Sequence, residues 1–450
     1  MPATKAVCVA LSGGVDSTVL LHVLAPWARA RGIALSAMHV HHGISANADE
    51  WARFCASLCD ALRVPHQIVR VDISPWRHQG VEAAARAARR EALATCGAEH
   101  LALAHHQDDQ AETVLLQLLR GAGVPGLAGM ATERALMLGR RTRDGKPAPQ
   151  AAKSTTSTTK PPIVVRPMLA VTRAQIEQFA RQHGIKSIRD ESNDDVAFTR
   201  NYLRHTVMPL LIAKQPAAPA NLARSALHLA EANALLTELG RSDIRRVMKG
   251  QSIILRPLLA LGPARTANAL RTWIRDENWR VPTTAQLEEL IRQLFDARQA
   301  ARTAFESDEF ALRRYRDRLH LVSRRMAIPS DIAIEWNGRK RWPVASLGGV
   351  FTFRRCTGEG IADRWMKPEN IITRMRADGG RIRLNAGGGH RSLKNVFQEA
   401  GLPPWERERL PLIYVGGTLA CVPGIGVDLA FRANAGELGW RVRWRPESSP

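Results

Sequence analysis

Residues 6–23 read AVCVALSGGVDSTVLLHV, and how they are read decides the fold. The unbroken apolar run from Ala6 to Leu11 is what a strand buried on both faces requires. It stops at Ser12, Gly13 and Gly14, and a helical pattern starts at Val15. A strand, a two-glycine turn and a helix in succession leave the helix's first N–H groups exposed at the strand's carboxyl end. Gly13 and Gly14 tolerate positive φ and close backbone approach, and the Ser12 and Ser17 hydroxyls extend the polar rim. Together they form an anion cradle. Asp16 would repel a phosphate there unless a cation stood between them, and a Mg²⁺ ion bridging it to pyrophosphate resolves the conflict. The pattern GxxxxGK[ST] does not occur, which excludes a γ-phosphate-hydrolysing P-loop.

Outward from this turn, strands and amphipathic helices alternate to about residue 130. Strand patterns at 34–43, 65–73 and 100–106 are separated by helical patterns at 47–63 and 81–97, and a further helix follows at 108–123. In the first of these helices Trp51, Phe54, Cys55, Leu58, Cys59 and Leu62 share one face. This alternation predicts an α/β fold with a doubly wound parallel sheet whose ligands lie at the carboxyl ends of the strands. Residues 140–162, rich in Ser, Thr, Lys and Pro, read as a solvated, disordered insertion. The sheet then resumes at PIVVRPML, 162–169, and Thr172 suits an N-cap for the next helix. Helical patterns fill about 215–300, 309–323 reads as two strands around a turn, and 330–375 is mixed. Short β-like runs, a helix near 392–401 and the tail GWRVRWRP end the chain.

The 450 residues carry 64 Lys plus Arg against 42 Asp plus Glu, a net charge of +22 that favours a polyanionic partner. No stretch reaches the roughly 18 consecutive apolar residues of a membrane helix, so a membrane partner is not expected. The six cysteines include no CxxC pair, and a reducing cytoplasm is the expected compartment. Trp273, Trp279, Trp440 and Trp444 are individually expected to be core residues.

A second polar constellation follows the strand at 100–106. His105 and His106 precede Asp108, Asp109 and Glu112, three carboxylates that complement a helix N-terminus. Capping alone does not require two histidines at a strand's carboxyl end. Asp109 and Glu112, at i and i+3, share a face that can hold an ammonium group, and His105 can contact phosphate or shuttle a proton. Metal binding by the two histidines is disfavoured, because neighbours on a strand point to opposite faces.

SGGVDS in this context resembles the PP-loop of the N-type ATP pyrophosphatases. AHHQDDQAETVLLQLLRG and DESNDDVAFTRNYLRHTVMPLL are similar to the HHxxDDxxET and D-x-SN…RN-x-x-R blocks of tRNA(Ile)-lysidine synthetases. The C-terminal run SLKNVFQEAGLPPWERERLPLIYVGGTLACVPGIGVD resembles that family's terminal domain. His41 stands where the family usually has Asn, and Arg90 where it has Tyr. The resemblance implies a PP-loop catalytic domain over 1–215, a mainly helical RNA-binding domain over 216–328, a linker or mixed region over 329–375 and a small α+β domain over 376–450. It implies that Ser12, Gly13, Gly14, Val15, Asp16 and Ser17 bind ATP and Mg²⁺. His39 and Val40 would line the adenine site, and Arg86 with Arg89 would face the phosphates, although solvated helix arginines are the plain alternative. His105 would act in catalysis, Asp109 and Glu112 would hold free lysine, and Asp190, Ser192, Asn193, Arg200, Asn201 and Arg204 would shape the RNA side. The implied reaction joins lysine to the wobble cytidine of isoleucine tRNA with a CAU anticodon, and a homodimer would be ordinary. A PP-loop tRNA cytidine thiolase is the enzyme alternative, and a non-catalytic RNA-binding protein is the alternative of another class.

Overall fold

A computed structural model describes residues 4–136, 161–189, 194–295, 305–323, 333–375 and 380–446. The insertion expected at 140–162 lies almost wholly outside these residues, as do Asp190, Ser192 and Asn193. The chain divides into two compact units, residues 1–243 and 244–450.

The first unit is built on strands β1 (Ala6–Ala10), β2 (Ala34–His41), β3 (His66–Arg70), β4 (His100–Ala102), β5 (Glu133–Ala135) and β6 (Ile163–Val165). Their order is β3-β2-β1-β4-β6-β5, parallel throughout except for β5, which runs antiparallel on the edge. Alternation along β1 explains its apolar run. Val7, Val9 and Leu11 enter one core with Leu20, Leu24, Cys55 and Ile176, while Cys8 and Ala10 enter another with Met38, Leu93 and Leu101. Both faces of the strand are dry, so neither set of positions tolerates a polar side chain.

Five helices cover this sheet: α1 (Val15–Ala30), α2 (Ala48–Ala61), α3 (Val81–Leu93), α4 (Gln107–Leu119) and α5 (Arg173–Gln182). The predicted face of α2 does meet the core, with Cys55 and Cys59 buried in it. Thr172 caps α5 as expected: its hydroxyl accepts from the Gln175 N–H, and the Gln175 side chain accepts from the Thr172 N–H. Edge strand β5 had no counterpart among the sequence patterns.

Helix α6 (Ala218–Val247) spans the boundary of the two units. In the second unit, α7 (Pro263–Asp276) and α8 (Thr284–Phe295) pack with the antiparallel pair Phe310–Tyr315 and Arg318–Ser323 around Leu258, Leu270, Trp273, Leu287 and Phe310. The strand pair matches the turn expected at 309–323. The stretch that looked mixed, 330–375, contributes strands to two antiparallel sheets whose other strands come from 412–446. Gly349–Thr357 pairs along nine residues with Leu438–Pro446. Trp273 and Trp440 are buried, and Trp279 and Trp444 pack against the same cores.

Candidate active site

The turn after β1 is shaped by one glycine more than the other. Gly13 has φ +88°, and a Cβ there would lie 2.6 Å from the Ile188 side chain. Ile188 also donates its N–H to the Gly13 carbonyl at 2.9 Å. Only glycine meets both demands. Gly14, with φ −67°, is the N-cap of α1 and needs no such freedom. The Ser12 and Ser17 hydroxyls lie 3.0 Å apart, and Ser17 Oγ accepts from the Ser12 N–H, so the rim of the cradle is tied to itself.

Beside the turn is a cavity of about 300 Å³ lined by Ser12, Gly14, His39, Val40, His42, Trp51, Arg89 and Ile188, among others. His39 and Val40, which the resemblance assigns to the adenine, and Arg89, which it assigns to the phosphates, line this one cavity. Arg86 is exposed on α3 and outside this lining. His42 and Ile188 were not singled out beforehand, although His42 was legible as the residue just past the end of β2, and Trp51, read only as part of the apolar face of α2, lines the cavity. His39 Nδ1 is 2.9 Å from the Leu11 carbonyl oxygen.

The His42 ring is pushed down to about 4 by burial, helped by Arg89, His39 and His41. Its Nδ1 is buried with no hydrogen-bond partner among the described residues. The unfolded chain takes up a proton near the ordinary histidine value of about 6.5, whereas the folded ring refuses it until about pH 4. Stability from this position is therefore complete above about 6.5 and is lost as the pH falls toward 4. His42→Gln is expected to flatten the fall in melting temperature between pH 7 and 5. An unchanged pH profile would contradict this account of the ring.

On the other side of the turn the second constellation closes in. His106 is the N-cap of α4: its ring accepts from the Asp109 N–H, and Asp109 accepts from the His106 N–H at 3.1 Å. One of the two histidines that capping had not accounted for is thus itself the cap. Its Nε2 lies 3.4 Å from Asp109 and 3.8 Å from Asp16. Burial opposes charge on this ring, but Asp108, Asp109 and Asp16 outweigh burial and hold its pKa above the ordinary value. His105 behaves oppositely. Burial, with Arg166, Arg200 and Arg89, lowers it to about 4 against the pull of Asp109. Arg166 Nε donates to His105 Nδ1 at 3.2 Å, so the neutral ring carries its proton on Nε2.

Asp16 projects from the first turn of α1 into this space. Arg173 approaches its Oδ2 at 3.4 Å, while its Oδ1 is buried without a hydrogen-bond partner among the described residues. Burial raises the Asp16 pKa, against His106 and Arg173. Arg173 also binds Asp108 through its backbone N–H at 2.8 Å. Arg166 and Arg173 went unnoticed in the sequence. Arg166 did carry a signal, since it directly follows a strand and so stands where the fold puts ligands.

Asp109 and Glu112 do share a face, and both are buried. Arg200 donates to both carboxylates at 3.0 Å each, and Arg204 donates to Asp109 at 3.0 Å and to Glu112 at 2.5 and 3.0 Å. Asn201, by contrast, donates to the Asp195 carbonyl at 2.9 Å. The Asp109 carboxyl lies below the usual carboxylate range: burial pushes it up, but His106, Arg200 and His105 more than compensate.

An orphaned carboxylate oxygen beside an anion cradle fits a divalent cation that draws its remaining ligands from substrate phosphates, as Mg²⁺ does. Among the described residues no group of three or more His, Cys, Asp or Glu could hold a metal unaided. Cys55 and Cys59 are core residues whose thiols burial pushes up to about 12 and about 11. Sulfur chemistry, which needs the thiolate, is disfavoured there.

Comparison with known proteins fits this geometry. A family model of the PP-loop domain matches residues 2–211, one of the TilS substrate binding domain 255–320, and one of the TilS substrate C-terminal domain 371–444. The tRNA(Ile)-lysidine synthase of Nitrosomonas europaea is 38% identical over 439 residues, covering 97% of this chain and 91% of its own. The chain belongs to the tRNA(Ile)-lysidine synthase family. Members from Azoarcus sp. and Coxiella burnetii are 39% and 34% identical, covering 100% and 98% of this chain and 93% of each of their own. The 2–211 segment is accordingly a PP-loop, ATP-using domain. No described helix is long and apolar enough to cross a membrane.

Proposed function

We propose that this member of the tRNA(Ile)-lysidine synthase family ligates lysine to the 2-carbon of the wobble cytidine of isoleucine tRNA with a CAU anticodon. The observation that carries this reading is the convergence of two sites. The Asp16 turn, suited to ATP phosphates, and the Asp109–Glu112 pair, suited to an ammonium, meet across the single ring of His106.

In the first step the cytidine 2-carbonyl oxygen attacks the α-phosphorus of ATP. An oxygen–phosphorus bond forms, the α–β phosphoanhydride bond breaks, and pyrophosphate leaves. N–H groups at the start of α1, with the cations Arg89 and Arg173, would face the charge that develops on the phosphates. Mg²⁺ held by Asp16 would supply further charge neutralisation there. Neutral His105 offers an Nε2–H to a phosphate oxygen, a role that its low pKa favours over proton acceptance. In the second step the ε-amine of lysine attacks the 2-carbon, the bond from that carbon to the AMP oxygen breaks, and AMP leaves. A free ε-ammonium at pH 7 carries roughly 4–5 kcal/mol against deprotonation. Asp109, held below the ordinary carboxylate range, suits holding the ammonium better than taking its proton.

An RNA partner is supported by the second unit. Arg354 and Arg441 are cross-strand partners, and Arg341 and Arg443 both stand opposite Thr352 on the same exposed sheet face. Arg441 also pairs with Glu359, and the face still carries four arginines, which suits a surface that meets phosphates. The test is incubation with ATP, Mg²⁺, radiolabelled lysine and a transcript of this tRNA. Label in the RNA that depends on ATP and on the isoleucine tRNA body is expected, with none on methionine tRNA. Pyrophosphate release without label would reject lysine as the nucleophile, and release of neither would reject the ligase.

A further inference from the structure

All four oxygens of the carboxylate pair assigned to lysine are already occupied. Asp109 Oδ1 accepts from both Arg200 and Arg204, and its Oδ2 accepts from the His106 N–H. Glu112 Oε1 accepts from Arg204, and Oε2 from both arginines. Asp109 Oδ2 and Glu112 Oε1 each keep one acceptor site, so an ammonium can touch the pair, but to sit between both carboxylates, where the guanidiniums now bridge them, it must compete with a guanidinium. The exchange conserves charge, because two carboxylates facing two guanidiniums become two carboxylates facing one guanidinium and one ammonium.

The segment bearing the arginines is an irregular helix. The helical turn Thr199–Tyr202 runs directly into a π-helical turn, Leu203–Val207, anchored by buried Leu203 and Met208. A π turn holds one residue more than the α-helix around it, and such turns recur at functional sites. Returning it to α geometry would rotate Arg204 relative to Arg200. Each side chain is a little over one quarter exposed, so neither is locked in the core. A displaced guanidinium needs another anion, and phosphate is the anion that both substrates of this site carry.

On the proposed reading of the reaction, we infer that Arg200 and Arg204 are internal competitors of the substrate ammonium. They close the Asp109–Glu112 pair and release it when a phosphate draws at least one of them away. Lysine admission is thereby coupled to arrival of a phosphate-bearing partner. The device is thermodynamic: the phosphate raises lysine affinity, and by reciprocity lysine raises phosphate affinity. Its source is either ATP or the RNA backbone.

Equilibrium dialysis of radiolabelled lysine against the full chain tests this. The wild type and Arg204→Met are each measured alone, with ATP, and with the tRNA transcript. The wild type is expected to bind lysine at least about tenfold more tightly with one of the two phosphate partners, and the partner that does so is the source. Arg204→Met, which loses three of the five guanidinium bonds, is expected to bind lysine alone at least about tenfold more tightly than the wild type alone. The phosphate-dependent gain should shrink in the variant, and Arg204→Lys, which keeps a cation, should behave like the wild type. If Arg204→Met does not fold, Arg200→Met carries the same expectation. Lysine binding by the neutral variant that is equal to or weaker than wild type, or undetectable in both, overturns the inference. RNA-dependent pyrophosphate release by the wild type is measured in parallel. Its loss would sink the ligase reading, whereas its presence beside an unimproved variant sinks only the competition.

Discussion

Asp16→Ala protein is expected to lose RNA-dependent pyrophosphate release by about 10³-fold or more, the scale associated with removing a charge-positioning group from a phosphoryl-transfer site. The same substitution should leave the melting temperature equal to or above that of the wild type. Both expectations come from one observation. Asp16 has a buried oxygen without a hydrogen-bond partner among the described residues, and burial raises its pKa. A carboxylate in that position opposes folding, and residues kept against stability are those that function needs. Its partner Arg173 also holds Glu177 at 2.9 Å and so is not stranded by the change. Pyrophosphate assays and thermal melts on one preparation decide the matter. A variant that melts well below wild type while keeping its activity would make Asp16 a structural ion-pair residue.

The second large effect is expected at Glu112, and it should separate the two half-reactions. Glu112→Gln keeps the shape of the side chain but removes the charge that faces Arg200 and Arg204. Lysine transfer should fall by about 10²-fold or more, on the scale of a lost charge contact to the reacting group. Pyrophosphate release with RNA should persist, because the Asp16 turn is untouched. Stability should fall by up to about 3–5 kcal/mol, since breaking a buried ion pair leaves its partners uncompensated. The arginines are partly exposed, so the lower end of that range is favoured. Equal loss of both half-reactions would place Glu112 in the adenylation machinery instead.

The sheet was legible because its signal is local. Val7, Val9 and Leu11 alternate with Cys8 and Ala10, and both sets are apolar because two cores need them. The serine rim of the turn at 12–17 and the cap at Thr172 depend on residues within a few positions of one another, whereas the Ile188 contact that helps make Gly13 obligatory does not. Legibility fails where pairing is remote. Gly349–Thr357 finds its partner about ninety residues later at Leu438–Pro446, and neither strand announces the other. The site divides in the same way. Asp109 and Glu112 could be read together from helical spacing, but that Arg200 and Arg204 would meet them depends on how the chain returns. His106 was given no role of its own in the sequence, because a histidine that caps a helix through an N–H three residues on leaves no mark that separates it from its neighbour His105. Arg173 was under-read, because its backbone serves Asp108 and its guanidinium serves Asp16, and neither partner lies nearby in sequence.

The antiparallel edge strand β5 bears on how this chain tolerates change in length. Ala135 is paired with Ile163, so the connection between them leaves and re-enters the sheet at adjacent positions. The distance it must bridge is fixed by one strand-to-strand spacing, whatever its number of residues. Doubling the length of a connection adds only about 0.6 kcal/mol to the cost of closing it. Residues 136–162 are therefore a place where the gene can gain or lose codons in small steps, while β1, β4 and β6 keep their pairing in the sheet.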